Sequence, residues 1–559
     1  MVVFNEQDEL KRLEFLRKRE EEELAQMLSQ KYGVEYVDLS LVAINTEALR
    51  VIPEAEARAT EAAAFGMVAK KLSVAVRAPE STHVLTLKKK LEDQGYIVTL
   101  YMCSQESLGR AYKRYADLSY ATESKAGVFE LSSEELEQLM SVVGSLTDIG
   151  KLINDAVQLK KAYRITRILE VILAGGLATG ASDVHFEPEE QQVRLRYRLD
   201  GVLVDVVSFD HETFKLMLSR LKLLSGLKLN ITGEAQDGRF SVKIKGDEIE
   251  LRTSILPGNY QETMVLRILN PKSIAVPLEE IGIEPKLLER IYKEVDKPNG
   301  MIITTGPTGS GKTTTLYAFL RKVNSAGTKI ITIEDPIEYH LAGIVQTQVD
   351  KKTYTFANGL RSALRQDPDI IMVGEIRDEE VAEVAINAAL TGHLVFSTLH
   401  TNNAAGSFPR LIDLGVDEKV LSSAVSTALA QRLVRKLCDK CKAQRDATPE
   451  EKALIDKHLT AVTDQSLVPT ERTKVWVAKE GGCPACNGRG YKGRLGIFEA
   501  VFMDAAVETI LRSKPSEREV AEAAKPQGIP TMAQDGIIKM LKGITSLEEL
   551  HRVVDLDTN

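Results

Sequence analysis

One loop limits what this chain can fold into more than any other part of the sequence. Between the apolar run MIITT and the helical pattern LYAFLRKV lies a complete Walker A motif, made of Gly306, Pro307, Thr308, Gly309, Ser310, Gly311, Lys312 and Thr313. Glycines at this spacing allow backbone N–H groups to face a phosphate, and the N-terminus of the next helix adds positive potential. We expect Lys312 to reach the β- and γ-phosphates of a nucleotide and the Thr313 hydroxyl to ligate Mg²⁺. Thr314 is predicted to belong to the same nucleotide-binding set.

Polar residues follow three later apolar runs, which are predicted to be strands of one parallel sheet. KIITI is followed by Glu334, Asp335 and, after a short turn, Glu338. DIIMV leads into Glu375 as a Walker B strand, and HLVFSTL ends at His400. Ligands of open α/β sheets bind outside the carboxyl ends of the strands, so these side chains should converge on the nucleotide. Glu334 is therefore counted among the nucleotide-binding residues.

Two tasks at such a site require carboxylates: holding Mg²⁺ and polarising the attacking water. Glu338 and Glu375 are the candidates, and their spacing does not assign one task to each of them. Glu334 and Asp335 have an alternative interpretation, in which they cap a helix that begins near Pro336.

Two histidines flank the strand HLVFSTL. His400 follows it and either senses the γ-phosphate or caps the strand. His393 stands at the start of the strand, further from the phosphate edge, and is expected to be structural. Only His400 is counted among the catalytic candidates.

Fast hydrolysis at a Walker A site usually needs a second positive charge, often an arginine, opposite the lysine. The candidates are Arg252 in IELRTSI and Arg267 in MVLRIL, in the β-rich segment that precedes the Walker loop. Each arginine side chain has to project from an otherwise apolar strand into a polar environment. A phosphate group would provide that environment, and so would an ordinary solvated sheet face.

Four of the five cysteines form two CxxC pairs, Cys438/Cys441 and Cys483/Cys486, separated by 41 residues. Four thiolates in this arrangement suit a tetrahedral structural Zn²⁺ site, with no open position for catalysis. A redox pair or independent buried thiols are the alternatives. The long gap predicts that this insert has a small fold of its own.

Composition and periodicity divide the chain into predicted segments. They are an N-terminal α+β partner-binding domain (1–117), a linker (118–162), a β-rich domain (163–275), an α/β core (276–437), the four-cysteine element (438–486) and a helical C-terminal subdomain (487–559). The first domain should begin with a charged helix from about Glu6 to Lys31, and it should bury Cys103 as a core thiol.

The β-rich domain opens with SDVHFEPEEQQVRLRYRLDGVL, whose period-2 pattern predicts a hairpin. Apolar residues of both strands would share one face. The other face would bring charged side chains of the two strands together, which favours this register. These side chains are Asp183, His185, Glu187, Arg194, Arg196 and Arg198.

Charge and hydropathy exclude several classes of protein. The 72 basic and 80 acidic residues give a formal net charge of -8, so a chain-wide basic surface for nucleic acid is missing. No run approaches 18 consecutive apolar residues, and the charged N-terminus does not resemble a secretory signal. We therefore expect a cytoplasmic protein, and five cysteines are too few for a disulfide framework.

The motifs taken together resemble those of one protein superfamily. GPTGSGKTTTLYAFL, ITIEDPIEYH, LRQDPDIIMVGEIRDEE, TGHLVFSTLHTNNAAG, AQRLVRKLC and GYKGRLGIFEA, with the paired cysteines, are similar to the type II/type IV secretion ATPases. The resemblance is densest between about Ile165 and Ala500, and within the superfamily it points to type IV pilus assembly (extension) ATPases and to type II secretion ATPases.

This resemblance implies a RecA-like P-loop motor domain preceded by a PAS-like domain, in a hexameric ring that binds nucleotide between the two. It maps the water-activating base to Glu338 and the Walker B glutamate to Glu375. It also maps arginine fingers to Arg252 and Arg267 and supports zinc at the four cysteines. The N-terminal EEEELAQMLSQKYG departs from the cyclic di-GMP motif of some relatives, so that ligand is not expected.

The expected function is a homohexameric Mg·ATP hydrolase that drives type IV pilus assembly through an inner-membrane platform protein. Type II secretion is the alternative, and retraction is disfavoured because the chain has both an N-terminal domain and a cysteine insert. A nucleic-acid motor and a non-hydrolysing scaffold are the remaining hypotheses. The acidic balance argues against the first, and intact Lys312, Glu338 and Glu375 argue against the second.

Overall fold

The computed structural model describes most of the chain. The described residues are 20–42, 44–45, 48–49, 51–68, 70–115, 123–124, 128–129, 133–159, 161–244, 247–271, 275–350 and 353–557. Two compact units are present, one formed by Met1–Thr122 with Asp155–Ile168 and the other by Glu123–Asn154 with Leu169–Asn559. The first part of the predicted N-terminal helix lies outside the described residues, and residues 20–32 are helical.

The first unit contains a four-stranded sheet in the order β1-β4-β3-β2. Its strands are β1 (Glu35–Tyr36), β2 (Ala62–Val68), β3 (Lys71–Val76) and β4 (Ile97–Met102), with helices at Glu54–Ala59, Thr82–Asp93 and Gln105–Tyr115. Cys103 is 2% exposed in this core, as predicted, and burial raises the pKa of its thiol to about 12. The helices Ser133–Val142, Leu146–Val157 and Lys161–Thr179 occupy the region where the chain passes between the units, which includes much of the predicted linker.

The second unit begins with an eight-stranded sheet in the order β5-β6-β10-β11-β12-β7-β8-β9. Its strands are β5 (Glu123–Ser124), β6 (Val128–Phe129), β7 (Asp183–Pro188), β8 (Val193–Leu199), β9 (Val202–Phe209), β10 (Gln236–Ile244), β11 (Asp247–Leu256) and β12 (Thr263–Leu269), and the helix His211–Leu224 follows β9. Strands β7 to β12 pair antiparallel with one another, whereas β6 pairs parallel with β10.

The hairpin of β7 and β8 has the register that the sequence predicts. Asp183 lies opposite Arg198, His185 opposite Arg196, and Glu187 opposite Arg194. The Arg198 Nε atom lies 3.2 Å from Asp183 Oδ2. The apolar residues of both strands are fully buried on the other face, so a slip by one residue would reverse the two faces.

A seven-stranded sheet follows, in the order β15-β14-β16-β17-β13-β18-β21. Its strands are β13 (Gly300–Thr305), β14 (Ile330–Glu334), β15 (Val345–Gln348), β16 (Ile370–Val373), β17 (Leu394–Leu399), β18 (Val425–Leu437) and β21 (Tyr491–Phe502). All pairs are parallel except β18 with β21. The helices between and beside these strands are Pro285–Val295, Lys312–Val323, Phe356–Leu364, Glu379–Leu390, Ser407–Asp413 and Glu418–Ala424. This confirms the predicted α/β class.

The last strand of this sheet comes from the segment that the sequence assigned to a helical subdomain. β21 pairs antiparallel with β18, from Thr427 opposite Phe502 to Leu437 opposite Tyr491. Its apolar and aromatic residues satisfy a half-buried strand better than a helix. The cysteine element, with the hairpin β19 (Ala443–Asp446) and β20 (Lys474–Val477) and the helix Pro449–Thr460, is therefore an insertion between two neighbouring strands.

Four α-helices follow β21 in the described residues: Ala505–Leu511, Glu517–Ala524, Met532–Leu541 and Leu547–Val553. The last one is attached to β18 through the fully buried carboxylate of Glu549. This carboxylate accepts hydrogen bonds from the Arg435 backbone at 2.9 Å, from Arg435 Nε at 2.8 Å and from Arg552 Nε at 2.9 Å. Burial opposes ionisation of Glu549, but the two arginines outweigh it and lower the pKa of the carboxyl group.

Glu549→Gln is expected to lower the Tm of the chain by several degrees at pH 7. The change leaves two guanidinium groups without an anionic acceptor, which costs about 3 kcal/mol for a buried pair. Because the folded pKa is lowered, the carboxylate stabilises the fold above its unfolded pKa of about 4.3, and the effect disappears as the pH falls further. Thermal melting of wild type, Glu549→Gln and the exposed neighbour Glu548→Gln checks this; equal effects of the two substitutions would contradict it.

Candidate active site

The Walker loop joins the centre of the parallel sheet to a helix. All six residues of β13 are buried, and β17 and β18 flank it on the two sides. The loop leaves the carboxyl end of β13, and Gly311 precedes the helix Lys312–Val323 at φ +93°. A Cβ atom at Gly306 would lie 2.6 Å from the Gln431 carbonyl oxygen and 2.7 Å from Ser310 Oγ, so only glycine fits there.

Lys312 folds back onto its own loop. Its Nζ atom donates to the carbonyl oxygens of Gly306 at 2.7 Å and Pro307 at 3.1 Å. Burial lowers the pKa of the Lys312 ammonium, Glu375 opposes this shift and Arg432 adds to it. An ammonium group held only by neutral carbonyls, with a second cation nearby, is suited to receive an anion.

The hydroxyl groups of the loop also fit a phosphate ligand. Ser310 Oγ is buried and has no hydrogen-bond partner among the residues that the structure describes. Thr308, Gly309 and Thr313 are exposed at the start of the helix, and Thr314 is partly exposed. The loop thus offers an open set of donors and hydroxyl groups at the positive end of a helix, which fits Mg·ATP.

Glu375 is surrounded by positive groups at the end of β16. Its side chain is 13% exposed; one oxygen pairs with Arg377, and the other lies 3.2 Å from His400 Nε2. Burial would raise the pKa of Glu375, but Arg377 and His400 lower it below its usual value. These three side chains line an open cavity of about 440 Å³, together with Ile376 and Arg410.

Glu338 is brought to one of the two candidate arginines. Arg252 Nη1 donates to Glu338 Oε2 at 3.3 Å, and Arg252 Nη2 donates to the Ile337 carbonyl oxygen at 2.7 Å. Arg267 lies directly opposite Arg252 on β12, but it is 64% exposed and its Nε atom pairs with Asp183 at 3.2 Å. The structure therefore places Arg252 at Glu338 and Arg267 one strand away.

A third arginine occupies the same row of the sheet. Arg239 on β10 lies opposite Arg252, and its side chain is 72% exposed with Glu250 as an ion-pair partner at 3.5 Å. No sequence motif singled it out, because cross-strand pairing is the signal that places it in the row. Arginines directly opposite each other repel, which is consistent with a surface that meets an anion.

Glu334 differs from its predicted place among the nucleotide-binding residues. Its carboxylate is only 3% exposed and accepts hydrogen bonds from the Tyr317 hydroxyl, from Thr332 Oγ1 at 2.5 Å and from Gln346 Nε2 at 3.0 Å. The side chain points into the domain and stabilises the end of β14. The helix-capping alternative is wrong, because residues 335–344 form an irregular connection to β15.

The two histidines are placed as their strand positions predict. His400 is half-exposed and lies beside Glu375 at the carboxyl end of β17. His393 lies at the opposite end of that strand, where its Nδ1 atom is 3.0 Å from the Ala388 carbonyl oxygen. A structural role for His393 fits this local bond.

The four paired cysteines come together after folding. Their Sγ atoms all lie within 4.8 Å of one another, with Cys438 to Cys483 and Cys441 to Cys486 both at 3.8 Å. A tetrahedron with Zn–S bonds of about 2.3 Å has edges of about 3.8 Å. Burial would raise the pKa of Cys486, but hydrogen bonds from the N–H groups of Cys483 and Gly490 lower it to about 7. The donor set fits a structural zinc ion.

The second cysteine pair also carries a link to the eight-stranded sheet. The Arg489 N–H group donates to the Cys486 carbonyl oxygen at 3.1 Å. Arg489 Nη1 then donates to Asp200 Oδ2 at 3.0 Å and to the Leu199 carbonyl oxygen at 3.2 Å, in the turn between β8 and β9. The local fold of the cysteine pair therefore fixes an interdomain ion pair.

Cys486→Ser is expected to reduce bound zinc from about one ion per chain to near none, because three thiolates no longer close the site. Loss of order at the second cysteine pair should break the ion pair of Arg489 with Asp200 and increase hydrogen exchange in the turn around Asp200. Zinc analysis and exchange mass spectrometry check both effects, with Cys103→Ala as the matched thiol control. Full zinc content in Cys486→Ser, or zinc loss in the control, would contradict the four-cysteine site.

The strand–loop–helix phosphate site on a parallel sheet, with carboxylates at the adjacent strand ends, defines the chain as a P-loop ATPase. A family model described as "Type II/IV secretion system protein" matches residues 158–552. The chain belongs to this family.

Two relatives agree with this assignment, and one solved structure shares the fold. The chain is 41% identical to the type II secretion system protein E of Pseudomonas aeruginosa, over 77% of this chain and 84% of that protein. It is 35% identical to the type IV pilus assembly ATPase PilB of Myxococcus xanthus, over 95% of this chain and 91% of that protein. The ATPase DotB of Yersinia pseudotuberculosis shares the fold, with a TM-score of 0.50 and 21% identity over 71% of this chain and 94% of that one.

Among the described residues, no helix combines the length and the apolar character that spanning a membrane requires.

Proposed function

We propose that this chain is the Mg·ATP-driven motor of type IV pilus assembly. The observation that carries this proposal is the extent of its similarity to a pilus assembly ATPase, which includes the N-terminal region as well as the ATPase core. In this proposal six copies form a ring at the cytoplasmic face of the inner membrane. The ring acts on a membrane platform protein that inserts pilin subunits, and nucleic acid has no part in it.

The geometry of the site supports an assignment of chemical roles. Lys312 exchanges its bonds to Gly306 and Pro307 for the β- and γ-phosphates, and the backbone N–H groups from Thr308 to Thr314 surround them. Thr313 and Glu375 hold Mg²⁺, which neutralises the phosphates and lowers the barrier to attack at the γ-phosphorus. His400 contacts the γ-phosphate end of the nucleotide from beside Glu375.

Glu338 is the base that orients and deprotonates the attacking water in this proposal. Arg252 holds the Glu338 carboxylate and contributes positive charge near the transferred phosphoryl group. Arg267 and Arg239 continue this positive row across the neighbouring strands. The four cysteines hold Zn²⁺, which is structural and takes no part in hydrolysis.

Type II secretion remains a second candidate, because a type II secretion protein E shows a higher identity, 41%, over 77% of this chain. In that case the same motor would drive a pseudopilus and protein export. The residues of the nucleotide site serve both functions equally, so the distinction has to come from the partner.

Deletion of the gene in the source bacterium tests the pilus function. We expect loss of surface pili in electron micrographs, with extracellular protein secretion unchanged, and recovery by wild type but not by a Lys312→Ala chain. Normal piliation together with loss of secreted proteins would assign the chain to type II secretion and overturn the pilus proposal.

A further inference from the structure

The loop that follows His400 is held by several side chains from distant parts of the sequence, among them one from β18 and one from β21. Arg432 Nη2 on β18 donates to the Asn402 carbonyl oxygen at 2.9 Å. Glu499 Oε1 on β21 accepts from the Ala404 N–H group at 2.8 Å. The two strands are neighbours in the sheet, so their side chains bind two nearby positions of one short loop, Asn402 and Ala404.

The second oxygen of Glu499 reaches the C-terminal subdomain. Glu499 Oε2 accepts from the N–H group of Met532 at 3.0 Å. Met532 is the first residue of the helix Met532–Leu541, whose N-cap is Thr531. A carboxylate is favoured at a helix N-terminus, where free N–H groups and the helix dipole attract negative charge. One side chain therefore joins the loop after His400 to the start of this helix.

The energetic cost of Glu499 argues against a passive role. Burial raises the pKa of its carboxyl group. The two backbone N–H groups and the positive charge of Arg432 oppose this rise. No lysine or arginine of the described residues forms an ion pair with it. Desolvating a charge is unfavourable, so a partly buried carboxylate without a salt bridge depends on its hydrogen bonds to offset that cost.

The loop is short enough to transmit a displacement from Ala404 to His400. At its other end the Thr401 N–H group donates to Thr305 Oγ1 at 2.9 Å, next to the Walker loop. Inside the loop, Thr401 Oγ1 donates to the Asn403 carbonyl oxygen at 2.9 Å. His400 precedes these bonds directly and lies 3.2 Å from Glu375.

We infer that Glu499 is a positioning residue for ATP hydrolysis: it holds the loop Thr401–Ala404, and with it His400, in place beside Glu375, and it ties this position to the helix Met532–Leu541. The inference rests on the proposed role of His400 and Glu375 at the nucleotide. It gives the C-terminal subdomain a direct mechanical connection to the site, because a movement of that helix changes where His400 stands.

Glu499→Gln in the full chain tests this inference. The amide retains the size of the side chain but has one acceptor oxygen, so its NH₂ group must face one of the two N–H donors. We expect kcat to fall about tenfold, because His400 is displaced from the γ-phosphate end, while the KM for ATP stays within about twofold, because Lys312 and the Walker loop keep their phosphate contacts. Glu508→Gln, an exposed glutamate paired with Arg512 in a nearby helix, is the control with unchanged kinetics.

A double-mutant cycle separates positioning from a general loss of stability. In a His400→Ala background, Glu499→Gln should cause no further loss of kcat, because the group that it positions is already absent. The same tenfold loss in both backgrounds would overturn the inference, and so would wild-type kcat in Glu499→Gln. If Glu499→Gln folds poorly, Glu499→Asp replaces it in the test. Aspartate keeps the charge but is too short to reach both N–H donors, so the same tenfold loss of kcat is expected.

Hydrogen exchange provides a readout that does not depend on the proposed function. Glu499→Gln should accelerate exchange in the peptides that contain Ala404 and Met532, and leave the Walker helix Lys312–Val323 unchanged. Slow exchange at both positions would overturn the inference. If His400→Ala and Lys312→Ala both retain full ATPase activity, the proposed nucleotide chemistry fails instead, and the exchange result still decides whether Glu499 holds the loop.

Discussion

Lys312→Ala is expected to reduce Mg·ATP hydrolysis by about 10²- to 10³-fold, the usual cost of removing one preorganised charge contact to a reacting group. Within the part of the chain that the structure describes, the Lys312 ammonium donates only to the Gly306 and Pro307 carbonyls, so it can turn to the phosphates without breaking an ion pair there. Phosphate release by the purified chain measures the effect. Nucleotide affinity should fall as well, because the lysine contacts the ground state and the transition state.

Lys322→Ala is the matched control, since this exposed lysine lies on the same helix with its ammonium group over the Tyr292 ring. It should hydrolyse ATP at the wild-type rate. Wild-type activity in Lys312→Ala would remove the Walker loop from the mechanism. A matching loss in both variants, with lowered Tm, would show that the helix and not the charge is responsible.

Arg252→Ala is expected to lower kcat by about 10³-fold, within the range that arginines contribute to phosphoryl transfer. Arg252 holds Glu338 and the Ile337 carbonyl oxygen, so its loss removes both a charge and the support of the base. Arg267→Ala should cost less, about tenfold, because Arg267 is mostly exposed and paired with Asp183. Steady-state ATPase measurements compare both with Arg194→Ala, a control arginine in the same sheet.

Mixing experiments test whether Arg252 acts within its own chain, as its contact with Glu338 indicates. Chains with Arg252→Ala and chains with Lys312→Ala should give no recovery of activity when mixed, because every chain then has one defective site component. Recovery after mixing would show that the arginine completes the site of another copy. Equal losses for Arg252→Ala and Arg267→Ala would contradict the difference between their contacts.

The features that local sequence could predict are those whose chemistry is contained in a short segment. The Walker loop and the β7–β8 register depend on neighbours a few residues apart, and each has the local structure that the pattern indicated. The cysteine pairs were also predicted as one cluster, because thiols at CxxC spacing have few alternative uses in a chain without a disulfide framework.

The features that were missed depend on long-range packing. Glu334 follows a strand like a ligand residue, but Tyr317 and Gln346 take up its oxygens from other elements. β21 returns to the sheet after the cysteine insert, and Glu499 meets Ala404 only through that pairing. Periodicity within a segment carries no information about such partners, which are fixed when the sheet assembles.

The most direct test of the central claim compares ATP binding and turnover in Glu338→Gln. The amide keeps the size of the side chain and removes the base, so binding should stay within about threefold while kcat falls by about 10²- to 10⁴-fold. Equilibrium binding of ATP and phosphate release, measured on the same preparation, give both numbers. Retained binding with lost turnover supports hydrolysis at this site, with Glu338 as the base. Hydrolysis at the wild-type rate in Glu338→Gln would contradict it.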